Sequence, residues 1–145
     1  MSVRHALPED AGALAALHAR LFPKGPWDQA FWQDAIKRPS DVALVLGQPP
    51  RGLALIRIAA DEAELLTVGT TLPGQGDGRA LVSAASKTAL DLGAERLFLE
   101  VSTLNRAALG LYRAMGFVRL ALRPAYYSDG SDAEVMALAL RPQED

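Results

Sequence analysis

The segment Leu72–Val82, LPGQGDGRALV, constrains the fold more than any other part of the chain. Its glycines at positions 74, 76 and 78 are followed at once by alanine, leucine and valine. Glycine loses more conformational entropy on folding than any other residue, so this cluster indicates close approach of a partner to the main chain or backbone angles that other residues avoid. We therefore expect a tight loop that leads directly into a helix.

A loop of this kind in front of a helix can bind an anion. The first amides of a helix have no partner within it, and the helix dipole adds positive potential at that end. Arg79, at the expected start of the helix, would add a formal charge. The Walker motif does not fit because Lys-Ser/Thr is missing after Gly78, and the dinucleotide fingerprint does not fit because Arg79 occupies its third glycine position. A turn that only connects two elements is the alternative.

Composition excludes several classes of function. The 145 residues are half hydrophobic and 22% charged, which is typical of one globular domain over residues 1–145. The net charge of −2, without a lysine or arginine run, gives no support for nucleic-acid binding. The absence of cysteine excludes disulfides and thiolate catalysis. His5 and His18 fit no metal-ligand spacing, so we expect no metal.

Hydrophobic runs also bear on location. No stretch approaches the roughly 20 apolar residues of a membrane span, and the first residues lack the apolar core of a signal peptide. We therefore expect a cytoplasmic protein with no membrane partner.

Periodicity and turn residues predict one α/β (α+β) domain. We expect helices over residues 8–22, 28–37, 79–92 and 105–115. We expect strands over residues 2–5, 42–46, 53–60, 62–68, 96–101, 117–123 and 134–140.

Glu100 is the first candidate catalytic residue. It lies near the end of a predicted strand and is flanked by apolar residues, namely Leu97, Phe98, Leu99 and Val101. A carboxylate between apolar walls binds a proton more readily, which suits a general base. An outward-facing glutamate on an alternating strand is the alternative.

The helix over residues 105–115 carries the second candidate. Positions 105, 109, 112 and 116 share one face, so Asn105 and the Tyr112 hydroxyl can point the same way. A half-buried structural tyrosine is the alternative. We expect a neighbouring stripe of this helix to face the core: Leu104, Ala108, Leu111 and Met115.

The sequence resembles the GNAT superfamily of N-acetyltransferases, whose acetyl-CoA loop is commonly Gln/Arg-x-x-Gly-x-Gly/Ala. The segment 73–78 matches this pattern at Gly76 and Gly78. Within the superfamily, the order of elements and the segments 26–36, 97–117 and 125–140 are similar to the ribosomal-protein-alanine N-acetyltransferases. The similarity covers nearly the whole chain, and the segment 97–117 is its most specific part.

The resemblance implies a GNAT-like single domain with a mixed central sheet of about six to seven strands, flanked by about four helices. It implies acetyl-CoA as co-substrate, with Glu100 as the proton acceptor and Tyr112 as the acid that protonates the CoA sulfur. The cofactor contacts that it implies lie on the strand before the loop, in the loop and at a helix cap: Leu66, Thr67, Val68, Pro73, Gly74, Gln75, Gly76, Asp77, Gly78, Arg79 and Asn105.

Two residues of the loop depart from the family pattern. Pro73 stands where the family usually has Gln or Arg, and it has no N–H to donate. Asp77 replaces a usually apolar residue and places a negative charge near a pyrophosphate. Its side chain either points away from the phosphate-facing amides, at little cost, or weakens CoA binding.

The acceptor implied by the resemblance is the N-terminal alanine of a small-subunit ribosomal protein, acetylated by direct attack in a ternary complex. Tyr126, Tyr127 and the loop 128–132 would line a peptide groove, with Asp129 and Asp132 attracting a cationic N-terminus. An ordinary polar hairpin loop is the alternative. A small-molecule amine or a lysine is the alternative acceptor, and a non-catalytic acyl-CoA-binding module is the alternative to an enzyme.

Overall fold

Seven strands form one mixed sheet in the computed structural model, which describes residues 2–141. The strands are β1 (Val3–His5), β2 (Asp41–Leu46), β3 (Gly52–Ala59), β4 (Glu62–Thr70), β5 (Arg96–Ser102), β6 (Val118–Arg123) and β7 (Ala133–Ala139). Their order across the sheet is β1-β2-β3-β4-β5-β7-β6. Only the β4–β5 pair is parallel, and every other neighbouring pair is antiparallel.

Four α-helices pack against this sheet. They are α1 (Ala11–Leu21), which follows a 3-10 turn at Pro8–Asp10, α2 (Gln29–Lys37), α3 (Asp77–Asp91) and α4 (Arg106–Ala114). The mixed sheet of seven strands and the four helices confirm the predicted fold. Among residues 2–141, no helix has both the length and the hydrophobicity that a bilayer crossing requires.

The sheet carries a hydrophobic core on each face, because β2 and β3 are apolar at consecutive positions rather than at alternate ones. Leu44 and Ile56 point into the cluster covered by α3 and α4. Val45 and Leu55 point into the cluster covered by α1 and α2, where Trp32 is fully buried. Helices on both faces thus enclose the centre of the sheet.

The sheet is split between its two parallel strands. Pairing between β4 and β5 covers only Glu62–Glu64 opposite Arg96–Phe98, although β4 continues to Thr70 and β5 to Ser102. On the other side of β4, Leu55 faces Thr67 and Ile56 faces Leu65, so Leu66 forms a β-bulge. A bulge bends its strand and increases the local twist. The result is a gap in the sheet beyond Glu64.

The structure corrects three details of the sequence prediction. Helix α3 begins at Asp77 rather than at position 79, because Gly76 adopts a φ of 84° and already ends the loop. Strand β4 runs two residues further than predicted, to Thr70. The predicted core stripe of α4 is wrong for Leu104, which is 71% exposed in the turn before the helix. Leu109 and Tyr112 are the buried residues of α4.

Candidate active site

An open cleft of about 450 Å³ occupies the split in the sheet. Its walls come from β4, β5, α4, the β6–β7 loop and the segment between α1 and α2. Seven of the predicted site residues line it: Leu66, Thr67, Val68, Glu100, Asn105, Tyr112 and Tyr127. The fold therefore brings together side chains that are far apart in the sequence.

The edge of β4 that faces β5 is one wall of the cleft. Beyond Glu64, the backbone groups on this edge have no partner strand within the described part of the chain. Unpaired N–H and C=O groups of a strand edge can hydrogen-bond to the amides of an extended ligand as they would to another strand. The main chain of residues 66–68 is therefore available to an extended ligand.

The glycine loop (residues 72–76) leads from β4 to the N-terminus of α3. Gly74 and Gly76 have φ angles of 79° and 84°, a region that favours glycine, and nothing lies within 4 Å of where their Cβ atoms would be. Gly76 caps α3 without a side-chain hydrogen bond, and the first helical amide bond runs from Ala80 to Gly76. The amides of residues 77–79 thus remain available, so this open cradle fits a diphosphate.

Asp77 does not point into this cradle. Its side chain is only 1% exposed, and Arg51 Nε donates to its Oδ2 at 2.9 Å. The structure therefore favours the first of the two alternatives for Asp77, in which its charge is directed away from the loop amides. Pro73, Gln75 and Arg79 are all exposed.

Glu100 lies half-buried on the opposite face of β5 from Leu97, Leu99 and Val101. The Tyr126 hydroxyl donates to Glu100 Oε1 at 3.4 Å. Arg123 Nε lies 3.3 Å from Glu100 Oε2 but outside hydrogen-bond geometry, so the buried Oε2 has no hydrogen-bond partner among the described residues.

The apolar walls expected around Glu100 are thus incomplete, because a cation lies on one side of the carboxylate. Leu97, Leu99 and Val101 lie on the other face of β5, Phe98 shares the face of Glu100, and the end of β6 supplies a cation. Arg123 also lies over the Tyr126 ring, 5.6 Å from its centre, so the three side chains form one contact group.

Tyr112 approaches the cleft from the core side of the sheet. The side chain is 7% exposed and packs against Phe117 with 5.6 Å between the ring centres. Burial, with a smaller contribution from Tyr127, raises the pKa of the Tyr112 phenol to about 12. The phenol is therefore protonated throughout the neutral range and can donate a proton.

The loop 128–132 is held by its own acidic side chains. Asp132 Oδ1 accepts from the Ala125 amide at 2.9 Å, and Asp129 Oδ1 accepts from the Ser131 amide at 2.8 Å. Both contacts are typical of a polar hairpin loop. Tyr127, which precedes this loop, is half-buried in the cleft, and burial together with the charge of Glu100 raises the pKa of its phenol.

Sequence analysis missed two parts of the site. His18 lines the cleft and stacks on Trp27, with 4.7 Å between ring centres, and its Nδ1 accepts from the Trp27 amide at 3.0 Å. Burial lowers the pKa of His18. The aromatic residues Trp27, Phe31 and Trp32 are a signal for this wall in the sequence, whereas the spacing of the two histidines carries none. Arg123 was missed because its position depends on the strand order.

Comparison with known proteins agrees with this geometry. Residues 13–117 match the model of the acetyltransferase (GNAT) family, and the chain belongs to that family. The resemblance inferred from the sequence is thus confirmed, and the protein is an acetyl-CoA-dependent acetyltransferase rather than a non-catalytic module.

Two curated relatives and one solved structure are similar to this chain over most of its length. The chain is 36% identical over 138 residues to the N-alpha-acetyltransferase RimI of Mycobacterium tuberculosis, covering 88% of this chain and 85% of the relative. It is 32% identical over 121 residues to the [ribosomal protein bS18]-alanine N-acetyltransferase of Escherichia coli, covering 79% and 82%. The crystal structure of the Escherichia coli ribosomal-protein-S18-alanine N-acetyltransferase superposes with a TM-score of 0.84 at 26% identity, covering 99% of this chain and 96% of the other.

Proposed function

We propose that this protein transfers the acetyl group of acetyl-CoA to the N-terminal α-amine of a ribosomal protein that begins with alanine. The observation that carries the proposal is the shared cleft, in which Glu100 and Tyr112 lie beside the unpaired edge of β4. The names of the two curated relatives, an N-alpha-acetyltransferase and a ribosomal-protein-alanine N-acetyltransferase, support this class of acceptor.

The chain's own groups hold the co-substrate at two places. The free amides at the start of α3 bind the diphosphate, and Gly74 and Gly76 leave space for it. The main chain of residues 66–68 binds the pantetheine arm, with Asn105 at the far side of the cleft. Acetyl-CoA, when bound, supplies the thioester whose acetyl group is transferred. A backbone N–H of β4 stabilises charge that develops on the carbonyl oxygen.

Glu100 accepts the proton of the attacking amine, directly or through a water. Its Oε2 accepts no hydrogen bond from the described residues, so protonation there disrupts only the ion pair with Arg123. Arg123, 3.3 Å away, is the countercharge of the carboxylate form. A free α-amine has a reference pKa of about 7.7–8.0, against about 10.4 for lysine, so one carboxylate is sufficient for an N-terminus at neutral pH.

Tyr112 supplies the proton that the departing CoA sulfur requires. Because its pKa is about 12, the phenol retains its proton until the sulfur develops negative charge. The base and the acid are thus separate side chains on the two sides of one cleft. The chain has no cysteine to carry the acetyl group, so the amine attacks the thioester directly.

Tyr126 and Tyr127 form the acceptor end of the cleft in this proposal. The Tyr126 hydroxyl contacts Glu100, and Tyr127 lines the cleft wall, so an amine close to Glu100 would also be close to both rings. Asp129 and Asp132 remain candidates for attracting a basic peptide, although their carboxylates already bind loop amides.

A panel of peptides tests the choice of acceptor. We expect an alanine-initiated peptide that also contains an internal lysine to be acetylated at its N-terminus, with equimolar CoA release and the acetyl group located by fragmentation mass spectrometry. The same peptide with its N-terminus already acetylated is the control and should release no CoA. Acetylation of the lysine in both peptides, or of small amines only, would contradict the proposal.

A further inference from the structure

Arg51, in the turn between β2 and β3, contacts both ends of the glycine loop. Its carbonyl oxygen accepts from the Thr71 amide at 2.8 Å, just before the loop. Its side-chain Nε donates to Asp77 Oδ2 at 2.9 Å, just after the loop. Between these two anchors, residues 72–76 are all exposed. One residue outside the loop therefore fixes where the loop begins and where it ends.

Arg51 is itself held in place. Its amide donates to the Leu46 carbonyl at 2.8 Å, which closes the turn between β2 and β3. Its side chain lies across Gly47, where a Cβ atom would come within 3.1 Å of the Arg51 Cγ and Nη1. The turn that joins β2 and β3 thus holds the Arg51 side chain in place, so a residue of the loop that contacts this side chain is held in place as well.

The charge of Asp77 makes this contact electrostatic as well as mechanical. Asp77 is the first residue of α3, so its carboxylate lies at the helix end whose free amides bind the diphosphate in the proposed function. Without a countercharge, a carboxylate buried at this place would repel a diphosphate, because water and salt screen a buried charge poorly. The Arg51 guanidinium supplies the countercharge.

We propose that Arg51 is a positioning residue for the co-substrate: through Asp77 it holds the glycine loop in its binding shape and cancels a negative charge beside the diphosphate. This inference rests on the proposed placement of CoA at the start of α3. It also offers a reason for the aspartate at a position that is usually apolar in the resembling family, since the aspartate and Arg51 form one paired unit.

A double-mutant cycle with two readouts tests the pairing. Arg51→Gln should raise the calorimetric Kd for CoA at least tenfold, while kcat at saturating acetyl-CoA stays within threefold of the parent. In the ligand-free protein, peptides covering residues 72–80 should exchange their amide hydrogens at least fivefold faster. Arg51→Gln/Asp77→Asn should recover part of the lost CoA affinity, because no unpaired carboxylate remains, whereas exchange of residues 72–80 should stay fast, because the contact that holds the loop is still missing.

Arg57→Gln is the matched control. Arg57 Nε also donates at 2.9 Å to a buried carboxylate, that of Asp41, which Arg38 continues to bind. Arg57 is six residues after Arg51, which places it about 20 Å away along β3. Its loss should leave both the Kd for CoA and the exchange of residues 72–80 within twofold of the parent. Should Arg51→Gln not fold, Arg51→Lys replaces it, with faster exchange expected but less than a threefold change in Kd.

Unchanged Kd and unchanged exchange in the Arg51 variant would overturn the inference, and so would a double variant that binds CoA as weakly as Arg51→Gln. Failure of the parent protein to bind CoA would instead contradict the proposed function. The exchange comparison needs no ligand, so it would still decide whether Arg51 holds the loop.

Discussion

Glu100 illustrates how one side chain acquires its chemistry from the strands around it. The residue lies on a strand whose other face is packed in the core, so its carboxylate emerges where the sheet splits. Tyr126 occupies one carboxylate oxygen at 3.4 Å, whereas the other is buried without a donor. Arg123 Nε, 3.3 Å from this second oxygen, is its charge partner.

Replacing Glu100 tests its role as proton acceptor. Glu100→Gln should lower kcat by about 100-fold or more, with the larger loss at low pH, because a carboxamide cannot accept the proton of an ammonium group. The Kd for CoA should stay within about twofold. Steady-state kinetics from pH 6 to pH 9 make the measurement. The control is Glu62→Gln, at an exposed pair with Arg96 outside the cleft. Equal loss in both variants would contradict the assignment.

Replacing Tyr112 tests its proposed role as the acid that protonates the CoA sulfur. Tyr112→Phe keeps the buried ring and removes only the hydroxyl, so the fold and the CoA affinity should be retained while kcat falls about 100-fold. Because the pKa of Tyr112 is about 12, its titration should not contribute a basic limb to the parent's rate profile below pH 10. A variant with the parent's kcat, or a basic limb near pH 8 that vanishes with the hydroxyl, would be inconsistent with this role.

At the scale of elements, the end of α1, the segment after it and the start of α2 together form an aromatic wall. Trp27 and Trp32 pack against His18, and Phe31 packs against both tryptophans. Trp32 lies in the core and Trp27 on the cleft. The His18 bond to the Trp27 amide joins the end of α1 to the start of α2.

Because His18 is part of this wall, the free energy of unfolding should depend on pH. Burial lowers the pKa of His18 below its usual 6.5, so the neutral form is favoured in the folded state. The stability that neutral His18 contributes to the fold is therefore fully present above pH 6.5. It is lost as the pH falls through the lowered pKa of folded His18. We expect the free energy of unfolding, measured by urea titration from pH 7.5 to pH 5, to fall less steeply in His18→Phe than in the parent. Identical slopes would refute this explanation.

Local patterns predicted the elements well because their signals are local. The side chains of Asp28 and Asn105 each accept a hydrogen bond from a backbone amide at the start of their helix. Gly93 and Gly116 follow α3 and α4 with positive φ. The start of α3 was misplaced by two residues because the apolar run begins only after Asp77 and Gly78. The contact that compensates for Asp77 comes from Arg51, 26 residues away, and no local pattern reports such a pair.

At the scale of the whole molecule, the site depends on the strand order. Strand β7 lies between β5 and β6, so Arg123 at the end of β6 reaches Glu100 across β7, and Tyr126 follows shortly after β6. Neither hydrophobic periodicity nor turn residues encode that order. The family resemblance named Glu100 and Tyr112 in advance, but the split of the sheet, the bulge at Leu66 and the cation beside Glu100 required the structure.

The split sheet also places all groups of the proposed site on one domain. The cofactor cradle at the start of α3, the edge of β4 and the two side chains of the cleft belong to elements that pack on one sheet. Their relative positions are thus set by the core, which is the arrangement that positions reacting groups most firmly.

A crystal structure with a CoA–peptide conjugate, in which CoA is linked to the amine of an alanine-initiated peptide, tests the central claim most directly. The account predicts diphosphate oxygens within hydrogen-bond distance of the amides of residues 76–79, with the sulfur near the Tyr112 hydroxyl and the alanine nitrogen facing Glu100. A diphosphate bound away from the start of α3, or a sulfur that neither side chain can reach, would contradict it.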